Sequence, residues 1–268
     1  MFQTIKAMVK KILVALRIYP AVLRIYHAVK SIKDQPRKFH FWIAGGTKYK
    51  HHFYNTSLFK ALKGHLKKSD ISDHLGSIFF FALGAKPKLI VELGTRGGES
   101  TRSLLAVAFL SKAVLLSIDI VDCECIDLPF RENWHFVQAD DIEFGGSRFI
   151  DWCRYHHIEP IIDVILIDTS HEYEHTKNEI ETWSKYLSEN GVMIFHDTNM
   201  GKGIYSRADG SIGFGWNNER GVIRAIEEFV SCHYNENCFF YDFRKNYLII
   251  HYPYCNGLTI LKRCNLNL

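Results

Sequence analysis

Two stretches of the chain gather groups that can bind charge and move protons. Asp168-Thr169-Ser170-His171 follows one apolar run, and His196-Asp197 ends another. If those runs are neighbouring strands, ~4.8 Å apart, the groups at their ends meet in one cleft. Carboxylate oxygens and an imidazole nitrogen converging there can hold one divalent cation. A histidine with a near-neutral pKa can also take the proton of a weakly acidic hydroxyl. Plainer roles stay open: Asp168 as a cap for the next helix, His171 as a solvent-facing residue of its first turn.

A third stretch is "LIVELGTRGGEST", residues 89–101. An acid, Glu92, stands at the end of an apolar run, and Gly94, Gly97 and Gly98 follow. Glycine permits positive φ and lets backbone approach a ligand closely. A dinucleotide site wants G-x-G-x-x-G around a pyrophosphate; the spacing here misses that, and Glu92 would repel phosphate. A carboxylate at this point suits a cationic ligand instead. S-adenosylmethionine, with its α-ammonium and sulfonium and no phosphate, fits that requirement. One further pattern competes: "HEYEH", His171 to His175, spells the H-E-x-x-H of zinc proteases. That motif belongs inside a helix, whereas here it begins directly after a buried strand, so a protease is not expected.

These groups need a scaffold, and the rest of the pattern supplies one. "KLIVEL", "AVLLSIDIV", "WHFVQAD", "IDVILID" and "GVMIFHD" read as five buried strands. Between them, "GESTRSLLAVAFLSK", "RFIDWCRYHH" and "EYEHTKNEIETWSKYLSEN" read as helices. Alternation of this kind predicts a parallel sheet with helices on both faces. "DISDHLGSIFFFALGAKP" predicts a helix ahead of it, capped by Asp70 or Ser72 and ended by Gly84 and Pro87. "VIRAIEEFVSCH" predicts a helix after it, and "CFFYDFR" with "YLIIHYP" a closing antiparallel hairpin. The polar, glycine-rich segment 200–221, with Tyr205, Phe214, Trp216 and Asn217, has the length of a lid. Residues 38–75 are the expected opposite wall of the acceptor site.

Composition separates the N-terminus from the rest. The chain has 268 residues, and residues 1–50 carry eleven Lys or Arg and one acid, Asp34; the remainder is net acidic. Nucleic-acid binding by the main body is therefore not expected. The N-terminal apolar run is interrupted by Arg17, Pro20 and Arg24, too early for a membrane span. It reads as a broken basic amphipathic helix. Two roles stay open: packing on the main body or on a second copy of the chain, and peripheral contact of residues 1–33 with a membrane surface. The seven cysteines include no C-x-x-C pair, which fits reduced thiols in a cytoplasmic protein.

Glu92, Gly94 and Gly98, as E-x-G-x-x-x-G, resemble motif I of the class I S-adenosylmethionine-dependent methyltransferases. The resemblance implies a Rossmann-like α/β sheet, parallel with a C-terminal antiparallel hairpin, preceded here by a helical extension. It divides the chain into a basic extension, 1–75, and a cofactor-binding methyltransferase domain, 76–268. It implies that Glu92, Gly94, Thr95, Gly97, Gly98 and Ser100 line the cofactor. Asp119 would meet the ribose hydroxyls, Asp140 the adenine amino group, and Asp168 would border the same ligand. D-x-x-H-x-Y followed by G-V-x-x-F-H-D is similar to a subgroup, the cephalosporin-hydroxylase-like proteins and macrocin-type sugar O-methyltransferases. That similarity implies metal ligation by Asp168, His196 and Asp197, and His171 as the base. His196 stands where the subgroup has an acid; magnesium is the expected ion and manganese the softer choice. The implied reaction is O-methylation of a sugar or other natural-product hydroxyl. The rival readings are a non-catalytic protein of the same fold, recruited by its basic N-terminus, and a hydroxylase-like enzyme.

Overall fold

The structure, a computed structural model, describes residues 69–200, 204–206, 212–214 and 220–264. Residues 1–68 of the basic N-terminal extension, Trp216 and Asn217 lie outside the described residues.

The apolar runs form strands because both their faces are covered. β1 (Leu89–Leu93) is buried throughout, and β2 (Val114–Asp119), β3 (Trp134–Gln138), β4 (Ile162–Ile167) and β5 (Leu187–His196) follow. Helix α1 (Leu75–Gly84) precedes the sheet, and α2 (Glu99–Ser111) crosses from β1 to β2. α3 (Asp141–Ser147) and α4 (Phe149–Tyr155) lie between β3 and β4, and α5 (Tyr173–Trp183) between β4 and β5. A short ribbon, β6 (Ile204–Ser206) with β7 (Ile212–Phe214), stands in the segment expected to be a featureless lid loop. α6 (Gly221–Val230) comes next, then β8 (Phe240–Arg244), β9 (Tyr247–Tyr252) and β10 (Leu258–Arg263).

The sheet has eight strands in the order β3-β2-β1-β4-β5-β10-β9-β8. Strands β1 to β5 run parallel to one another, and β10, β9 and β8 each pair antiparallel with their neighbours, β10 with β5 included. The order reverses between β1 and β4, which places the turns after both strands at the switch point where ligands of open α/β sheets sit. The core beneath it holds Trp183, Phe144, Phe149 and Phe195, all but fully buried.

Three local expectations are corrected. The hairpin is not the last element along the chain: β10, absent from the sequence reading, follows it and inserts between β5 and β9. Helix α5 stops at Trp183, a short 3₁₀ turn follows, and 187–190 join β5. The cause is β10: its Arg263 guanidinium donates to the carbonyls of Ser184 (3.2 Å) and Leu187 (2.6 Å), which ends the helix. Neither Asp70 nor Ser72 caps α1. Ser72 bonds instead with the Ser69 backbone, and His74 occupies the cap position without a side-chain bond to the helix.

Candidate active site

The glycine turn begins where β1 ends. Gly94 has φ +87°, and a Cβ placed there would sit 2.2 Å from the Asp168 carbonyl oxygen. Its glycine identity thus permits the close approach of the β4 end. Gly98, φ +74°, begins α2 and is crowded by Leu128, Arg102 and Ile126; at Gly97 an added Cβ would meet nothing within 4 Å.

Glu92 is fully buried, opposite Ser117 in the β1–β2 register. Its carboxylate accepts from Ser100 Oγ (2.7 Å), Thr101 Oγ1 (2.8 Å) and Ser117 Oγ (2.6 Å). Ser117 in turn accepts from Trp134 Nε1. Burial pushes Glu92 up to about 7, against the pull of the three hydroxyls. The carboxylate expected to meet the ligand braces the start of α2 against β2. Thr101 and Ser117 escaped the sequence reading; a lone serine inside the apolar run "VLLSID" was the available signal.

Asp119, at the end of β2, accepts from the amides of Thr95 (2.8 Å), Arg96 (3.0 Å) and Val121 (2.9 Å). It therefore fixes the shape of the glycine turn. Asp140 caps α3 through the Glu143 amide (2.8 Å), a role sequence reasoning did not assign. Thr95 Oγ1 is buried in this turn without a hydrogen-bond partner. An orphaned hydroxyl beside an open Gly97 fits a ligand with polar groups seated on the turn.

The second constellation forms at the ends of β4 and β5. His171 Nε2 lies 2.7 Å from Asp197 Oδ2 and 3.5 Å from Asp168 Oδ1. Both His171 (φ +64°) and Asp197 (φ +55°) adopt the left-handed conformation, which non-glycine residues hold only where the surroundings impose it. The donor atoms of Asp168, His171 and Asp197 all lie within 4.8 Å of one another. Asp197 Oδ1 is buried with no partner. An orphaned carboxylate oxygen in a cluster of oxygen and nitrogen donors fits a divalent cation.

His196 stands apart from this set. It is buried, with Nδ1 3.2 Å from Asp168 Oδ1 and 3.3 Å from Asp197 Oδ2. Its Nε2 lies 3.3 Å from the Cys255 carbonyl. Every partner is an acceptor, so with no cation present the surroundings favour protonation of the ring. Burial opposes that charge, but Asp197 and Asp168 outweigh it and hold His196 well above its usual range. His74 supports it from behind: it stacks on Tyr254 and sits edge-on to His196. Burial and the His196 charge push His74 down to about 4. The same balance acts on His171, where burial lowers the pKa but the two aspartates raise it to about 10. Both aspartates stay ionised: burial works against them, and the two histidines prevail.

The two histidines of "HEYEH" part company. His171 turns to Asp197, while His175, on α5, lies 3.2 Å from Asp141 Oδ1 and 3.6 Å from Glu179 Oε1. No protease geometry is formed.

Residues 91–198 match a family of methyltransferase domains. This segment is a methyltransferase domain. It covers β1 through β5 and both constellations, and its enzyme class is S-adenosylmethionine-dependent methyl transfer. No curated protein matches the sequence. Among solved structures, a methyltransferase from Geobacter sulfurreducens is 14% identical with a TM-score of 0.46, over 71% of this chain and 78% of that one. An O-methyltransferase from Bacillus cereus in complex with SAH is 14% identical with a TM-score of 0.46, over 78% of this chain and 91% of that one. The MycE methyltransferase from the mycinamycin biosynthetic pathway, in complex with Mg and SAH, is 19% identical with a TM-score of 0.37. That match spans 48% of this chain and 34% of that one. All seven cysteines of the methyltransferase are free thiols. Among the described residues no helix is long and apolar enough to cross a membrane.

Proposed function

We propose that the chain is a divalent-cation-assisted O-methyltransferase acting on a hydroxyl of a sugar or glycosylated natural product. The observation that carries this reading is the Asp168–His171–Asp197 cluster beside the glycine turn, with Asp197 Oδ1 buried and unpartnered. The sugar acceptor rests on the resemblance of D-x-x-H-x-Y and G-V-x-x-F-H-D to the macrocin-type enzymes. Asp168 and Asp197 would hold the cation, which when bound supplies Lewis acidity that lowers the pKa of a ligated hydroxyl. S-adenosylmethionine supplies the methyl group. The residues of the chain align and deprotonate. Asp119 sets the turn amides, Glu92 anchors α2, and Thr95 Oγ1 offers a polar contact to the cofactor. His196, with Nδ1 3.2 Å from Asp168 Oδ1 and 3.3 Å from Asp197 Oδ2, holds both carboxylates in place.

His171 is the base in this reading, under one condition. With both aspartates pulling on it, it stays protonated at neutral pH and cannot accept a proton. It accepts one at Nε2 only when the carboxylate charge is engaged elsewhere. Cation binding and proton release from His171 are therefore linked.

The test is turnover on a hydroxylated glycoside panel with and without chelator. His171→Ala should lower kcat by ~10²–10⁴ while S-adenosylmethionine still binds. Asp168→Ala and chelator should each abolish activity. Full activity in chelator, unaffected by loss of either aspartate, would overturn the cation-assisted mechanism.

A further inference from the structure

We propose that Asp141, His175 and Glu179 form a second divalent-cation site, separate from the cluster at Asp168 and Asp197. Asp141 opens α3, and His175 and Glu179 stand four residues apart on α5, so they share one face of that helix. Their donor atoms lie within 4.8 Å of one another. Glu179 is fully buried and Asp141 nearly so.

Among the described contacts, His175 is the one cationic side chain within 4 Å of this pair of acids, and burial together with Asp141 holds the Glu179 carboxyl well above its usual range. Thr169 Oγ1 donates to Glu179 Oε1 at 2.6 Å, a neutral partner for a charged group. His175 Nε2 reaches Asp141 at 3.2 Å, but Glu179 at 3.6 Å lies beyond a hydrogen bond. Each carboxylate then keeps one buried oxygen with no donor, Asp141 Oδ2 and Glu179 Oε2. Two buried acids with one imidazole between them need positive charge, and leaving a buried charge uncompensated is costly. Asp140 and Glu172 add further negative charge around His175. Two carboxylates and one imidazole leave further positions for water, a donor set that suits Mn²⁺ or Zn²⁺ better than Mg²⁺.

The site would act as a clasp. It joins α3 to α5 and, through Thr169, reaches the segment that presents Asp168 and His171. It also gives the second histidine of "HEYEH" a role that the reaction does not. Its ligands are positioning residues for that segment and touch no substrate.

Mn²⁺ is the probe, because it shuns the seven thiols that would take up Zn²⁺. Full-length protein is stripped with chelator and titrated with Mn²⁺, free ion being counted by electron paramagnetic resonance. The Asp197→Asn background isolates the second site. It should bind one equivalent, and Mn²⁺ should raise its Tm. Adding Glu179→Gln should weaken that binding by more than the ~10–100-fold cost of losing an outer partner, and remove the Tm rise. His175→Gln serves as a second variant should circular dichroism show Glu179→Gln unfolded. Unchanged Mn²⁺ binding in either folded variant overturns the proposal. So does a Glu179→Gln protein that is more stable without metal while its parent ignores Mn²⁺, since the two acids would then share a proton. An Asp197→Asn protein that binds as many ions as the wild type counts against the first cation site alone.

Discussion

Replacing Glu92 with Gln tests how the cofactor turn is held. Burial lifts this carboxyl from 4.5 to about 7, and one pKa unit corresponds to about 1.4 kcal/mol. The rise amounts to about 3 kcal/mol, with no discount for solvent because Glu92 is fully buried. The native state holds this proton more tightly than the unfolded chain. Glu92 therefore contributes most below pH ~4.5, and that contribution is lost as pH climbs to about 7. Glutamine fits the same three hydroxyls: its oxygen can accept from Thr101 and Ser117, and its amide can donate to Ser100. The variant should carry none of the ionisation cost. Urea denaturation of both proteins at about pH 5 and about pH 8 isolates the effect, since most other groups cancel in the difference. The wild type should lose about 2.5 kcal/mol relative to Glu92→Gln across that span, slightly less than the full rise because about pH 5 already lies above 4.5. Because Glu92 is enclosed, S-adenosylmethionine affinity should fall less than ~10-fold, below the weight of a direct charged contact. Parallel stability profiles would refute the burial argument, and a much larger loss of affinity would show that Glu92 reaches the ligand's ammonium.

Gly94→Ala forces a Cβ to 2.2 Å from the Asp168 carbonyl at φ +87°; thermal melts should show a loss of several kcal/mol, on the order of a severe core defect. Gly97→Ala, with open space around its Cβ, should keep the wild-type Tm and lower cofactor affinity in calorimetry. His196→Asp replaces the buried imidazolium with a third acid; the ion-free protein should lose ~3–5 kcal/mol, and Mg²⁺ should restore more Tm than it adds to the wild type. The eleven basic residues in the first fifty should give sedimentation with anionic vesicles at low salt that fades as salt rises, and deletion of residues 1–33 should abolish it without changing cofactor affinity.

The parallel half of the sheet was legible because strands β1 to β5 are apolar runs bounded by turn residues, the direct imprint of burial on both faces. β10 was not. "LTILKR" ends in Lys262 and Arg263, whose charges mask a strand in which Leu258 to Leu261 are buried. The end of α5 was illegible for the same reason, since Arg263, far along the chain, ends it. Among site residues, sequence spacing brought Asp168, His171 and Asp197 to one place. It could not foresee the surroundings of His196, because the Cys255 carbonyl on its Nε2 comes from far along the chain. Asp141 was out of reach altogether: no local pattern links it to His175, thirty-four residues later.

The position of β10 has a consequence for how the chain acquires its shape during synthesis. β8 and β9 leave the ribosome first and can pair with each other, yet neither touches β5. Until residues 258–263 emerge, that hairpin has no sheet to join, and β5 presents an open edge of unpaired amides and carbonyls. This late strand is thus the keystone, and its arrival also delivers the Cys255 carbonyl to His196 and Arg263 to the end of α5. Completion of the charged cleft is delayed until the sheet is whole. A nascent chain stalled before residue 258 should therefore expose an aggregation-prone edge while still lacking the acceptor that orients His196.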